Sequence, residues 1–205
     1  MKKDKQIALI TGASRGIGAE IAIQLTKKNF HVIITGRSAS RLIKTEKSII
    51  NNGGTCTVAE LDMKDLYGLD NLGKEIFKRW GKLDILIDDS IVRGTTASKI
   101  VKMVYEAGAK EVHLGISCPP IMHPDFYGID TPNYNELIAY KSDLKEMTRR
   151  VGAKSLFFLS LSGTYKAMGC NERNHETPQF TDHCFTGEYP IDVSEILEIN
   201  KTING

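Results

Sequence analysis

Residues 6–18 read Gln6-Ile7-Ala8-Leu9-Ile10-Thr11-Gly12-Ala13-Ser14-Arg15-Gly16-Ile17-Gly18, an apolar run that ends in glycines spaced G-x-x-x-G-x-G. The run reads as a short buried strand. Glycines at this spacing make a tight turn, let the backbone approach a pyrophosphate and let a helix pack closely on its strand. Ile17, Ile21 and Leu25 recur at helical spacing over Arg15–Lys28. The turn therefore opens a helix whose first N–H groups and positive dipole end face a bound phosphate.

Outward from this unit the chain alternates. Phe30–Thr35 is a second strand, and Ser40 caps a helix carrying Leu42, Ile43, Ile49 and Ile50 that stops at Asn52-Gly53-Gly54. Thr55–Glu60 is a third strand; Leu69, Leu72, Ile76 and Trp80 mark a third helix closed by Gly81; Leu83–Ile87 is a fourth strand. Thr95 or Thr96 caps a helix with Ile100, Val101, Val104 and Ala107 on one face, and Val112–Ser117 is a fifth strand. Strands separated by single helices imply right-handed crossovers. The expected fold is α/β, a doubly wound, Rossmann-like parallel sheet of order 3-2-1-4-5. An α- and loop-rich C-terminal extension follows, with one sheet continuous to about residue 118. Residues 119–134 hold four of the six prolines and read as a long ordered loop. A helix or helix pair spans 134–150 with Ser142 as an internal cap. Ser155–Leu161 is a further strand, a short helix runs through Ala167, and the polar stretch 170–190 reads as surface loop.

Composition narrows the partners. With 205 residues, 41% hydrophobic and 25% charged, the chain suits one sizeable domain or a domain with a small appendage. A net charge of +2 argues for no particular partner, neither nucleic acid nor an anionic membrane. The small-molecule nucleotide or sugar phosphate expected as partner rests on the glycine turn and on the carboxylate loop described below. Lys2, Lys3 and Lys5 make only a short basic start, and Ile7–Ile10 is too short for a signal or a span. Cys56, Cys118, Cys170 and Cys184 are scattered without a C-x-x-C pair, which suits reduced thiols and a cytoplasmic protein. Nothing in the sequence fixes an oligomeric state.

Thr11–Gly18 resembles, along its whole length, the cofactor turn of the short-chain dehydrogenase/reductase family. Leu61-Asp62-Met63 resembles the segment whose Asp accepts a hydrogen bond from adenine, and Leu83–Ile87 the strand that leads to the family's Asn-Asn-Ala-Gly motif. The resemblance covers residues 1 to about 87 and implies an NAD(P) site on Gly12, Ser14, Arg15, Gly16, Ile17, Gly18, Arg37 and Asp62. The second strand ends at Thr35-Gly36-Arg37-Ser38 with no carboxylate for a ribose 2′-hydroxyl; Arg15 and Arg37 suit the 2′-phosphate of NADP(H) instead. The pattern then departs. Asp88-Asp89-Ser90-Ile91 stands where Asn-Asn-Ala-Gly would, and none of the seven tyrosines has Lys four residues on, so the catalytic Tyr-x-x-x-Lys is missing.

Ile85–Thr96 delivers two adjacent carboxylates from an apolar strand, then a loop with a glycine, hydroxyls and a helix N-terminus. Carboxylates suit ribose hydroxyls or Mg²⁺, and the amide cradle suits a phosphate. The block is similar to the phosphoribosyl-diphosphate (PRPP) signature of type I phosphoribosyltransferases, and more narrowly to the amidophosphoribosyltransferases of purine synthesis. Ala107–Lys110, Pro119-Pro120, Tyr127–Asp130, Glu136–Ala139 and Cys184–Pro190 continue that resemblance from about residue 85 to near the end. It implies that Asp88 and Asp89 hold ribose hydroxyls and Mg²⁺, while Ser90, Arg93, Gly94, Thr95 and Thr96 surround the 5′-phosphate. Here too there are departures: Lys2 stands where that family has a nucleophilic Cys, Asp84 interrupts an apolar strand, and Thr181, three before Cys184, argues against an iron–sulfur cluster.

The chain thus reads as a chimera joined within Leu83–Asp88, residues 1–87 from a dehydrogenase half and 85–205 from a transferase end. Three readings of function follow: a transferase-like module that keeps PRPP or nucleotide-phosphate binding without complete catalysis, an NADP-binding reductase fragment, or an inert fusion product. No catalytic residue is assigned. His31, His113, His123, His175 and His183 show no metal-ligand spacing.

Overall fold

β1 (Gln6–Ile10) is buried from Ile7 onward, because its apolar side chains alternate between two covered faces of a sheet. The computed structural model describes residues 5–127 and 133–196, so of the Tyr127–Asp130 motif only Tyr127 lies among the described residues, as do none of Lys2 and Lys3. Parallel strands β2 (Phe30–Gly36), β3 (Thr55–Glu60), β4 (Ile85–Asp88), β5 (His113–Ile116) and β6 (Ser155–Phe158) complete a sheet of order β3-β2-β1-β4-β5-β6. The expected 3-2-1-4-5 order is present, extended by β6. Ile7, Leu9 and Ile33 face one core with α3 (Leu66–Trp80), α4 (Thr95–Glu106) and α6 (Leu144–Val151); Ala8, Ile10, Val32 and Ile34 face the other with α1 (Gly16–Lys27) and α2 (Ala39–Asn51). Each fully buried leucine or isoleucine here contributes about 1.5–3 kcal/mol.

Several boundaries differ from the sequence reading. Ser38, not Ser40, precedes α2, and that helix buries Leu42, Thr45 and Ile49 while Ile43 and Ile50 stay exposed. The buried stripe follows the 3.6 period through a threonine, which donates to the Ala13 carbonyl at 3.0 Å. Gly94, in the left-handed region at φ 79°, precedes α4 in place of a threonine cap. Asp143, accepting from the Glu146 amide at 2.7 Å, caps α6 in place of Ser142, whose hydroxyl is buried with no partner among the described residues. β6 stops at Phe158 because Ser160 caps α7 (Leu161–Ala167).

Asp84 has a structural reason. β4 starts at Ile85, and the Asp84 carboxylate just before it accepts from the Ile7 amide at 2.7 Å. The carboxylate thereby ties the start of β4 to β1, and Lys82 lies 3.3 Å away.

The stretch 170–190 is not a simple surface loop. It contains α8 (His183–Thr186) and buries Arg173, Asp182 and His183. Arg173 donates to both Asp182 oxygens (2.6 and 3.2 Å) and to Glu188 (2.5 Å), and the Tyr165 hydroxyl donates to Asp182 at 2.7 Å. His183 Nε2 and an Asp125 oxygen lie 2.7 Å apart. Polarity alone suggests exposure; here the charges are paired across the loop, which is the condition for burying them. Between β5 and α6, a 3-10 turn (Tyr134–Glu136) and α5 (Ile138–Lys141) lead into α6. Among the described residues no helix is long and apolar enough to cross a membrane.

Candidate nucleotide-phosphate site

β1 and β4 are neighbours in register, Ile10 opposite Ile87, so the loops that leave their carboxyl ends share one edge of the sheet. The Thr11 amide donates to the Ile87 carbonyl at 2.9 Å, and the Thr11 hydroxyl donates to Asp88. The two loops therefore bound one cavity of about 700 Å³. Every site residue named from the sequence lines it: Gly12, Ser14, Arg15, Gly16, Ile17, Gly18, Arg37 and Asp62 from the first half, Asp88, Asp89, Ser90, Arg93, Gly94, Thr95 and Thr96 from the second.

On the first side, Gly12 and Gly16 sit at φ 62° and 59°, left-handed conformations that side chains resist. A Cβ on Gly18 would lie 2.8 Å from the Gly12 carbonyl oxygen, so this glycine is needed for helix-to-turn packing, whereas a Cβ on Gly16 would meet nothing within 4 Å. The open space over Gly16 is where a ligand can approach the backbone. The Ala13 amide donates to Thr35 O at 3.0 Å, which holds the turn against β2. Among the described residues no side chain caps α1 or α4, so the first amides of both helices are open to solvent or a ligand. Arg15 and Arg37 are exposed at the rim. Asp62 accepts from the Lys64 amide at 3.0 Å through one oxygen, which fixes the turn after β3.

On the second side, Asp88 is buried (6% exposed). Burial pushes its carboxyl pKa up to about 6, against the Thr11 hydrogen bond and with the help of Asp89. Asp88 also accepts from the Asp89 amide at 3.1 Å. Asp89 is exposed; one oxygen accepts from the Ser90 amide at 2.7 Å, and the other lies 3.2 Å from the position of a Cβ on Gly12. Ile91 is buried and anchors the loop, and Arg93 Nε donates to Glu136 at 2.5 Å.

Sequence reasoning placed Thr11 in the glycine turn without its bond to Asp88, and it missed Ser117. Ser117 follows β5, whose Ile116 pairs with Asp88; its amide donates to Asp88 O at 3.0 Å and its hydroxyl to Asp89 O at 3.4 Å. The signal was available: a polar residue just past the carboxyl end of each central strand is a candidate for the shared edge.

Two loops that bound one cavity on the carboxyl edge of a six-stranded parallel sheet define a Rossmann-like α/β protein. The short chain dehydrogenase family profile matches residues 6–113, more than half of the chain, and the chain belongs to that family. The match runs beyond residue 87, through β4 and α4 to the start of β5. About half of the chain is also similar to another family. The amidophosphoribosyltransferase of Rhizobium etli is 56% identical over 111 residues, covering 54% of this chain and 22% of that enzyme, so the chain spans about a fifth of the length of that relative. Among solved structures, a metagenomic short-chain oxidoreductase in complex with NADP superposes with a TM-score of 0.57 at 21% identity, covering 76% of this chain and 82% of that one. The Bacillus subtilis glutamine PRPP amidotransferase complexed with ADP and GMP superposes with a TM-score of 0.56 at 30% identity, covering 86% of this chain and 42% of that one. The chain is therefore a composite of dehydrogenase-like and transferase-like sequence on one Rossmann-like sheet.

Proposed function

We propose that the chain is a transferase-like nucleotide-phosphate-binding module whose two half-sites act as one cleft, taking either PRPP or NADP(H) but not both, without complete catalysis of either reaction. The observation that carries this reading is the direct hydrogen bond from Thr11 to Asp88, which joins the glycine turn to the carboxylate loop. Open amides at two helix N-termini, an open space above Gly16 and a basic rim at Arg15 and Arg37 all suit a phosphorylated nucleotide. NADP(H) would lie with its pyrophosphate over Gly16, its adenosine toward Asp62 and its 2′-phosphate by Arg37. PRPP would set its 5′-phosphate on Gly94–Thr96 and its ribose by Asp89. Asp88 has one oxygen engaged by Thr11 and the Asp89 amide, so a Mg²⁺ ion arriving with a diphosphate would take much of its shell from ligand oxygens and water.

The incomplete chemistry follows from residues. Hydride transfer in the dehydrogenase family relies on Tyr-x-x-x-Lys, which this sequence lacks. The dehydrogenase reading remains favoured for the cofactor half by Arg37: NADPH is expected to bind more tightly than NADH, and Arg37→Asp to remove the preference, as measured by calorimetry. Equal affinities in the native protein would count against it.

The decisive test is competition. NADPH and Mg²⁺–PRPP should each raise the melting temperature, a ligand at 100 times its Kd adding about 2.7 kcal/mol. Saturation with one should raise the apparent Kd of the other in proportion to its concentration, with neither hydride transfer to carbonyls nor phosphoribosylamine formation detectable. Additive stabilisation by the two ligands would mean separate pockets and refute the shared cleft.

A further inference from the structure

We infer that Asp89 sets which phosphate ligand the cleft accepts, disfavouring pyrophosphate-centred dinucleotides relative to ribosyl monophosphates; the inference rests on the shared-cleft reading. The glycine turn and the carboxylate loop are close enough that an Asp89 oxygen lies 3.2 Å from where a Cβ on Gly12 would be. That is the near side of the turn across which a dinucleotide pyrophosphate must lie if the amides of α1 are to hold it. The Asp89 charge therefore stands beside the phosphates and takes up part of their approach. Its other oxygen is engaged by the Ser90 amide at 2.7 Å, which fixes the carboxylate in this orientation.

A ribosyl monophosphate meets the same carboxylate differently. With its phosphate on the uncapped N-terminus of α4, its sugar hydroxyls face Asp89, and a carboxylate accepts from hydroxyls. One residue thus repels the centre of one ligand class and is compatible with the other. Discrimination between ligands commonly includes such a repulsive element. Asp89 is exposed, so water screens the repulsion and the expected effect is about tenfold, not thousands. Asparagine is nearly isosteric and keeps the side-chain oxygen that accepts from Ser90, so Asp89→Asn changes the charge and little else.

Calorimetric titration of native protein, Asp89→Asn and Asp89→Ala with NADPH and with ribose 5-phosphate tests the inference, melting temperature confirming that each variant is folded. Asp89→Asn should tighten NADPH about tenfold, about 1.4 kcal/mol, while ribose 5-phosphate binds equally or more weakly; Asp89→Ala should show the same change in ratio. A ratio of affinities that stays within about twofold in both variants, or a gain shared equally by both ligands, overturns the role of Asp89 but leaves the cleft intact. Failure of native protein and variants alike to bind either ligand at millimolar concentration overturns the shared-cleft reading and this inference with it.

Discussion

Asp182→Ala is expected to destabilise the protein by about 3–5 kcal/mol, the usual cost of leaving a buried charge without its partner. Asp182 and Arg173 are each 6% exposed at the side chain, and their pair lies at 2.6 Å. Burial by itself disfavours the Asp182 carboxylate, but the Arg173 and Tyr165 hydrogen bonds outweigh it and hold its pKa below the ordinary carboxylate value. Removing the carboxylate leaves the guanidinium with Glu188, an exposed partner, and the Tyr165 hydroxyl without its acceptor. Tyr165→Phe removes one hydrogen bond only and should cost about 1–2 kcal/mol. Urea unfolding gives both numbers, and a loss below about 1 kcal/mol for Asp182→Ala would show that the pair is not desolvated as described. The pH dependence has a definite sign. A folded pKa below the unfolded one means that Asp182 contributes its full stability above the unfolded value of 3.8 and loses it as pH falls through the lower folded value. Acid should therefore weaken the C-terminal segment in the native protein more than in Asp182→Asn.

Much of the fold was legible because it rests on local signals. The apolar run Ile7–Ile10, the glycines that follow it and the helical spacing of Ile100, Val101 and Val104 each specify an element without reference to distant residues. The strand order followed from the doubly wound pattern that strands separated by single helices imply. The meeting of the two loops was legible for a related reason: parallel strands deliver their loops to one edge, so Thr11 and Asp88 come together once β1 and β4 pair. What escaped was non-local. Ser142 and Asp143 are both acceptable caps in sequence, and only the backbone geometry selects Asp143. The burial of Arg173 depends on Asp182 and Glu188, and Asp182 in turn accepts from Tyr165, a set of pairings that no periodicity encodes. Asp84 looked like an intrusion in an apolar strand, and became intelligible only with Ile7 beside it.

Gly18→Val is the substitution expected to do most damage to dinucleotide binding. An added Cβ would sit 2.8 Å from the Gly12 carbonyl oxygen, 3.0 Å from its carbonyl carbon and 3.2 Å from the Ala13 Cα, all backbone atoms that cannot swing aside. Either α1 moves away from the turn or the turn opens, and both displace the first amides of the helix from the place where they meet a pyrophosphate. Overpacking of this kind costs about 1–3 kcal/mol of stability. The loss of NADPH affinity should be larger, about a hundredfold, because misplacing the amides removes both their hydrogen bonds and their alignment with the helix dipole. Gly16→Ala separates the two duties of the glycines. Its Cβ meets no protein atom, so its cost comes from the left-handed backbone, about 1–2 kcal/mol, and from intrusion into the ligand's space. Ribose 5-phosphate is the internal control. If its phosphate rests on Gly94–Thr96, Gly18→Val should weaken it far less than NADPH, because the α4 terminus is carried by β4 and not by the glycine turn. A folded Gly18→Val protein that binds NADPH as the native chain does would remove the glycine turn from the ligand site.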